Sequence, residues 1–274
     1  MRIVIAVGTR PEIIKMAPVH RAAVAAEHET MLLHTGQHYS DAMSGQFLDQ
    51  LGLPVPAADL GVGSGSHPAQ LAAVLSASEP VLADWRPDVV LVEGDTNSVL
   101  GVALAARTMG IRVGHVEAGL RSNDLAMPEE LNRILVDHLA ADRFAPTATA
   151  AENLASEGIV QGVVVTGNTF VDELGRQLPA ARATDSAAAF SLEAGGYALA
   201  TVHRAENTEQ PARLRGIFEG LAAVARATGW PVVVALHPRT ADRLTRHAID
   251  VDKRIRVMEP LGYHAFLGLQ STAG

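Results

Sequence analysis

Two acidic residues follow strand-like segments and could share one crevice. The run from Val89 to Val92 is continuously apolar, as is typical of a strand covered on both faces, and Asp95 follows it. A second such strand begins at Ile111 and is followed by Glu117. Parallel α/β sheets bind ligands at the carboxyl ends of their strands, so both carboxylates are predicted to meet there. Such a pair is suited to general acid and base catalysis.

A third acid comes from a predicted helix that begins near Pro128, a residue that suits a first helical turn. Glu129 and Arg133 are four residues apart, so a helical wheel places them together, facing solvent or a cleft. The opposite face is predicted to be the apolar stripe of this helix, with members Leu131, Ile134, Leu135 and Leu139. On spacing alone Asp95 could instead cap the helix that follows it, and Glu129 with Arg133 could instead form a surface ion pair. The convergence of three acids favours a site.

Further charged residues also follow predicted strands. Arg10 and Lys15 come after the first strand, in a turn and helix that could bind an anion or could carry solvated charges. His203 and His237 each close a strand in the second half of the chain, and two such residues at matching strand ends favour ligand contact. No metal site is predicted, because the histidine pair at 34 and 38 straddles a glycine turn and lacks the H-E-x-x-H pattern, and because cysteine is absent.

The elements that would position these residues alternate between strand and helix. Right-handed crossovers between them predict an α/β fold in which residues 1–170 form a doubly wound, Rossmann-like domain. Residues 171–274 repeat the pattern with three readable strands, which predicts a second Rossmann-like domain that looks incomplete beside the first. A hinge is expected within 167–178, and 177–196 is expected to include a surface loop after a short helix.

Composition limits the classes of protein to consider. At 274 residues two domains are expected, and 48% apolar with 19% charged residues indicates a globular chain. The net charge of −8 and the lack of a basic cluster argue against nucleic acid as a partner. No segment reads as a signal peptide or a membrane span, and the absence of cysteine fits a cytoplasmic protein.

Longer motifs are spread over essentially the whole chain. They are GTRPEIIKMAP at 8–18, TGQH at 35–38, PDVVLVEGDTNS at 87–98, GHVEAGLRS at 114–122, MPEELNR at 127–133, VTGNT at 165–169 and HRAEN at 203–207. Together they resemble the non-hydrolysing UDP-N-acetylglucosamine 2-epimerases of bacteria and archaea. The resemblance implies two Rossmann-like domains facing a cleft, the arrangement called GT-B. It also implies inversion of C2 of UDP-GlcNAc to give UDP-ManNAc.

The resemblance further implies a mechanism and a setting. UDP would be eliminated to give 2-acetamidoglucal and then be added back from the other face, with no metal and no nicotinamide cofactor. A cytoplasmic homodimer serving cell-surface polysaccharide biosynthesis is implied. Relatives continue into a Ser-Gly-Gly-containing turn that holds the diphosphate, which does not occur before Gly274. If the polypeptide ended there, we would expect weak retention of UDP.

Roles for individual residues also follow from the resemblance. The catalytic group would be Asp95, Glu117, Glu129, Arg133 and His203. Substrate would be bound by Arg10, Lys15 and Phe266, together with Asp95, Glu117 and His203. A second, regulatory UDP-GlcNAc would lie near Gln37, Arg204 and His237. The alternatives are a hydrolysing UDP-GlcNAc 2-epimerase, a GT-B nucleotide-sugar glycosyltransferase and a catalytically inactive binding protein.

Overall fold

The computed structural model describes residues 1–36, 48–202, 205–236 and 238–274, with the backbone alone at 205–206 and 238–239. The chain divides into two compact units, Met1–Glu173 and Leu174–Gly274. Gln37, His203, Arg204 and His237, which the sequence analysis named, lie outside the described residues.

The described part of the first unit is built on a seven-stranded parallel sheet in the order β3-β2-β1-β4-β5-β6-β7. Its strands are β1 (Arg2–Val7), β2 (Glu29–His34), β3 (Ala58–Asp59), β4 (Val89–Glu93), β5 (Arg112–Val116), β6 (Asp142–Ala145) and β7 (Val163–Val165). Its helices are α1 (Arg10–Ala25), α2 (His67–Trp85), α3 (Asn97–Thr108), α4 (Pro128–Leu139), α5 (Ala148–Ser156) and α6 (Thr169–Ala183). The boundary between the two units falls within α6. This helix has 15 residues and is therefore longer than the short helix that the sequence analysis expected before a surface loop.

Strand β1 shows why this sheet is covered on both faces. Val4 and Ala6 belong to a core cluster that includes side chains of α2 and α3. Ile3 and Ile5 alternate with them and point to the other face, yet they too are buried. The strand order changes direction between β1 and β4, and ligands of doubly wound sheets bind at such a switch point, outside the carboxyl ends of the strands.

The described part of the second unit holds a three-stranded parallel sheet in the order β10-β9-β8. Its strands are β8 (Ala198–Val202), β9 (Val232–Leu236) and β10 (Ile255–Met258), and its helices are α7 (Ser186–Ala189), α8 (Ala205–Thr208), α9 (Pro211–Thr228), α10 (Pro238–Arg246) and α11 (Tyr263–Thr272). Val232 and Val234 pack in a cluster with α9, whereas Val233 packs in another with Leu269 of α11. This sheet is therefore also covered on both faces.

Helix caps explain where two helices of the first unit begin. Thr147 accepts a hydrogen bond from the Ala150 amide and so caps the start of α5. Thr96 accepts from the Val99 amide at the start of α3. Thr96 thus fills the capping role that the sequence left open for Asp95.

Candidate active site

Glu93 and Glu117 come together at the carboxyl ends of β4 and β5. Glu93 is the last residue of β4 and is paired in register with Val116, so Glu117 begins the neighbouring turn. Lys15 of α1 joins them: its Nζ lies 2.9 Å from Glu93 Oε1 and 2.7 Å from Glu117 Oε2. Asn168 Nδ2 donates to the other Glu117 oxygen at 3.2 Å. Four segments of the first unit thus converge on one group, which we name the Lys15 cluster.

The backbone at Glu117 is held in an unusual conformation. Its φ of +66° lies in the left-handed region, which costs a non-glycine residue on the order of 1–3 kcal/mol. Gly119 follows with φ +81°, and a side chain there would overlap the Ala150 carbonyl. This turn carries the Glu117 side chain to Lys15, and the contacts of the carboxylate offset part of the backbone strain.

Burial and charge shift the pKa values of the Lys15 cluster in different directions. Burial of the Glu93 side chain, which is 1% exposed, raises its pKa well above the ordinary value despite the opposing charge of Lys15. Burial would also raise the pKa of Glu117, but hydrogen bonds from Glu93 and Lys15 outweigh it, so this pKa is lowered. Burial would lower the pKa of Lys15, but the charges of the two acids raise it. The pKa values of the two acids thus move in opposite directions, which makes Glu93 the weaker and Glu117 the stronger acid of the Lys15 cluster.

Asp95 belongs to a second group, centred on Arg133 of α4. The Arg133 guanidinium is ion-paired with Asp95, and its Nη1 lies 2.7 Å from Glu130 Oε2. Glu130 is buried and accepts hydrogen bonds from the amides of Ser122 and Asn123 at 2.8 to 3.0 Å. The turn after β5 is thus tied to the same arginine that holds Asp95.

Buried amide and imidazole groups fix the backbone next to Asp95. Asn132 Nδ2 donates to the Asp95 carbonyl at 2.8 Å and lies 3.2 Å from Asn97 Oδ1. His115, which is fully buried, has Nε2 2.9 Å from the Gly94 carbonyl and Nδ1 2.7 Å from Asp137 Oδ1. The loop that carries Asp95 is therefore held from both its strand and its helix sides, as a preorganised site requires.

The turn after β1 is linked to the same loop through a buried acid. Glu12 Oε2 accepts from the Gly8 amide at 2.5 Å, and Glu12 Oε1 accepts from Thr96 Oγ1 at 2.8 Å. Burial raises the pKa of Glu12 to about 7, although these hydrogen bonds oppose the change. Arg10 begins α1 next to this turn and is half-buried, and burial lowers its pKa. The turn beside the crevice between β1 and β4 therefore carries both a basic residue, Arg10, and an acidic residue, Glu12.

A sequence profile described as UDP-N-acetylglucosamine 2-epimerase matches residues 21–274. The UDP-N-acetylglucosamine 2-epimerase of Methanocaldococcus jannaschii is 42% identical over 281 residues, which cover 100% of this chain and 77% of the relative. This chain belongs to the UDP-N-acetylglucosamine 2-epimerase family.

A crystal structure of the M. jannaschii UDP-GlcNAc 2-epimerase in complex with UDP-GlcNAc and UDP has a TM-score of 0.89 at 42% identity, covering 100% of this chain and 77% of that one. The prediction of two Rossmann-like α/β units is confirmed. The UDP-2,3-diacetamido-2,3-dideoxy-D-glucuronate 2-epimerase of Pseudomonas aeruginosa is 38% identical over 280 residues, covering 100% of this chain and 77% of the relative.

The acids that were predicted to converge follow neighbouring strands but form different ion pairs. Glu117 lies in the Lys15 cluster, and Asp95 pairs with Arg133. Arg133 was expected to lie beside Glu129, but it pairs with Glu130 instead, and Glu129 is exposed. Phe266, in the first turn of α11, is half-buried within the second unit.

The predicted apolar stripe of α4 is wrong at two of its four positions, whereas Leu139 packs against the core cluster of the first unit. Leu131 and Leu135 are 48% and 41% exposed. The buried residues of this helix are instead Glu130, Asn132, Val136 and Asp137. Polar side chains can occupy the inner face because each of the three has hydrogen-bond partners there.

Sequence reasoning missed Glu93, Glu12 and Asn168. Each occupies a motif quoted above, but the sequence analysis did not single any of them out as a site residue. Glu93 carried a usable signal, since it stands two residues before Asp95 in Glu93-Gly94-Asp95 at the end of β4.

In the part of the chain that the structure describes, no group of three metal-ligating side chains occurs. Within the same residues, none of the helices combines the length and apolar character needed to cross a membrane.

Proposed function

We propose that this protein inverts C2 of UDP-GlcNAc to give UDP-ManNAc without releasing free sugar. The observation that carries the proposal is the Lys15 cluster, in which one lysine contacts two carboxyl groups with oppositely shifted pKa values at the switch point of the sheet. Family membership supports the substrate class, because the M. jannaschii relative was solved in complex with UDP-GlcNAc and UDP.

The chemistry proceeds in two balanced halves. In the first, a carboxylate takes the C2 proton, the C2–H electrons form a C1=C2 bond, and the C1–O bond breaks with its electrons leaving on UDP. The products of this half are 2-acetamidoglucal and bound UDP. In the second half, UDP adds back to C1 and a proton reaches the opposite face of C2. Such a route needs a base on one face, an acid on the other and firm retention of UDP.

Glu117 is the candidate base in this proposal. Its lowered pKa keeps it ionised at neutral pH, which a base requires and a general acid does not. Asp95 with Arg133 forms the second acidic group at the end of β4. His203 and Glu129 stay candidates for the catalytic group through the family resemblance.

Retention of UDP is assigned to the basic residues after β1. Arg10 stands at the beginning of α1, where backbone amides and the helix dipole also favour an anion. Lys15 uses two of its three ammonium hydrogens on Glu93 and Glu117, and the third can reach a phosphate oxygen. Phe266 is proposed, through the family resemblance, to contact the nucleotide. Four further expectations stay predictions. They are the homodimer, the cytoplasmic location, the role in polysaccharide biosynthesis and the regulatory UDP-GlcNAc near Gln37, Arg204 and His237.

A second candidate substrate is supported by the named activity of one relative. The relative that is 38% identical over the whole chain acts, by its name, on UDP-2,3-diacetamido-2,3-dideoxy-D-glucuronate. That sugar also carries a 2-acetamido group, so the same C2 chemistry would serve it. Relative kcat/KM values for the two nucleotide sugars would decide between the substrates.

The proposed function is tested by identifying the products from UDP-GlcNAc. Anion-exchange chromatography and NMR should show UDP-ManNAc in equilibrium with UDP-GlcNAc. Free ManNAc with stoichiometric UDP would instead indicate a hydrolysing epimerase. An unchanged sugar would contradict the proposal and leave a glycosyltransferase or a binding protein.

A further inference from the structure

Asp137 of α4 is a buried acid for which the proposed mechanism has no step. Its side chain is fully buried, and both carboxylate oxygens have partners. Oδ1 lies 2.7 Å from His115 Nδ1, and Oδ2 accepts from the Gly119 amide at 3.1 Å and from Arg121 Nη1 at 2.7 Å. Burial would raise the pKa of Asp137, but hydrogen bonds from His115 and Arg121 outweigh it, so this pKa is lowered. One carboxylate thus joins three separate partners inside the first unit.

Through His115, Asp137 supports the loop that carries Asp95. His115 Nε2 lies 2.9 Å from the Gly94 carbonyl, and this nitrogen is the donor, because a carbonyl oxygen has no hydrogen to give. Gly94 directly precedes Asp95. The contact between His115 Nδ1 and Asp137 orients the imidazole ring, so the carboxylate is the buried anchor of the bond to Gly94.

Through Gly119 and Arg121, the same carboxylate supports the turn that carries Glu117. Gly119 follows Glu117 by two residues, and both have left-handed backbones, with φ +81° and +66°. Arg121 is also bound by Glu157, since its Nε and Nη2 each lie 2.7 Å from an oxygen of that carboxylate. The turn is thus fixed at two points by Asp137 and at one by Glu157.

We infer that Asp137 is a positioning residue for the C2 inversion, which holds the loop of Asp95 and the turn of Glu117 in a fixed relation to each other. The inference rests on the proposed function. Asp95 and Glu117 follow neighbouring strands but form different ion pairs, so a shared group behind them can set their separation. Misplacing a reacting group by about 1 Å can cost roughly 100-fold in rate.

Two substitutions of Asp137 test this role. In Asp137→Ala the connections to both segments are lost, so kcat should fall roughly 100-fold with little change in KM. In Asp137→Asn the amide oxygen can still accept from Gly119 and Arg121. Its amide nitrogen can donate to His115 Nδ1 when that imidazole is neutral. Asp137→Asn should therefore recover most of the kcat that Asp137→Ala loses.

Two kinetic results would overturn the inference. Wild-type kcat in Asp137→Ala would show that the two acids keep their places without this carboxylate. Equal loss in Asp137→Ala and Asp137→Asn would show that the negative charge matters and the contacts do not.

Hydrogen exchange followed by mass spectrometry reports on the two segments directly. Asp137→Ala should speed amide exchange in both 94–97 and 117–121. Exchange in β1 should match the wild type, because β4 separates that strand from β5. Faster exchange in only one of the two segments would contradict a shared anchor.

Folding is controlled with a core variant of α2. Leu82→Ala removes a fully buried side chain of the core cluster that forms no part of the candidate site, so it should lower stability and keep the wild-type kcat. If Asp137→Ala did not fold, His115→Leu would carry the test, because it removes the connection to Gly94 and leaves the one to Gly119. It should lower kcat with little change in KM, and wild-type kcat would overturn the inference.

Failure of the inference can be told from failure of the proposed function. If the wild type itself formed no UDP-ManNAc, the proposed function would fail, and hydrogen exchange would still decide whether Asp137 holds both segments. If the wild type were active and Asp137→Ala matched it, only the inference about Asp137 would fail.

Discussion

Arg133 of α4 binds Asp95, beyond the end of β4, and Glu130 of its own helix at the same time. The two acids come from different elements, so one guanidinium fixes the helix against the loop that follows the strand. A lysine has a single charged nitrogen on a flexible stem and cannot hold both carboxylates with the planar geometry of arginine.

We therefore expect Arg133→Lys to lower kcat/KM about 10-fold or more, because Asp95 loses its fixed orientation. Initial rates of UDP-ManNAc formation provide the measurement. Arg112→Lys is the matched control, since Arg112 makes two bonds of 2.5 and 2.6 Å to Asp142 in an exposed pair at the amino end of β5. Wild-type kinetics in Arg133→Lys would show that Asp95 does not depend on this pairing.

Glu12 should make stability depend on pH. Its pKa is about 7 in the folded protein, above the ordinary value of 4.5. The folded state therefore binds the proton more tightly, and the contribution of Glu12 to stability is full below pH 4.5 and is lost as the pH rises through 7. The linked change is about 3 kcal/mol in the free energy of unfolding.

Glu12→Gln should remove this dependence, because an amide does not titrate in that range. Urea unfolding of the two proteins at pH 5 and pH 8 measures the effect. The wild type should lose more stability than the variant between the two pH values. Identical losses would mean that Glu12 is ionised in the folded protein at both.

Gly8 is required by packing at the turn between β1 and α1. A side chain there would overlap Ser98 Oγ and Thr35 Oγ1, which are hydrogen-bonded to each other at 2.6 Å. Gly8→Ala should therefore cost about 1–3 kcal/mol, the usual range for overpacking. Thermal unfolding can measure the change.

Gly220→Ala in α9 is the matched control, because that position has no heavy atom within 4 Å of an added Cβ. It should stabilise the protein by about 0.5–1 kcal/mol, since alanine is the better helix former. Equal stability of the two alanine variants would contradict the packing reported at Gly8.

The sequence was sufficient to locate the strands that carry the candidate site. Val89 to Val92 was predicted as a strand from its apolar run, the segment from Ile111 was predicted as a second one, and both contain strands. Because carboxyl ends of parallel strands share one edge, Asp95 and Glu117 could be assigned to that edge before their contacts were known. These predictions depended on local patterns, which the sheet preserves.

The contacts themselves depended on tertiary structure. Glu130, which the sequence analysis did not single out, is buried because the turn at Ser122 and Asn123 supplies two amide donors. Leu131 is exposed for the same reason, since the helix turns its polar side inward. No periodicity in one helix can reveal donors contributed by a segment several residues away.

Deuterium incorporation at C2 tests the central claim most directly. Wild-type protein incubated with UDP-GlcNAc in heavy water should place deuterium at C2 of both UDP-ManNAc and the remaining UDP-GlcNAc, because the carboxylate that removes the proton exchanges it with solvent. Glu117→Gln should bind UDP with similar affinity and incorporate none. Unlabelled C2 in the wild type, or full labelling in Glu117→Gln, would contradict the account.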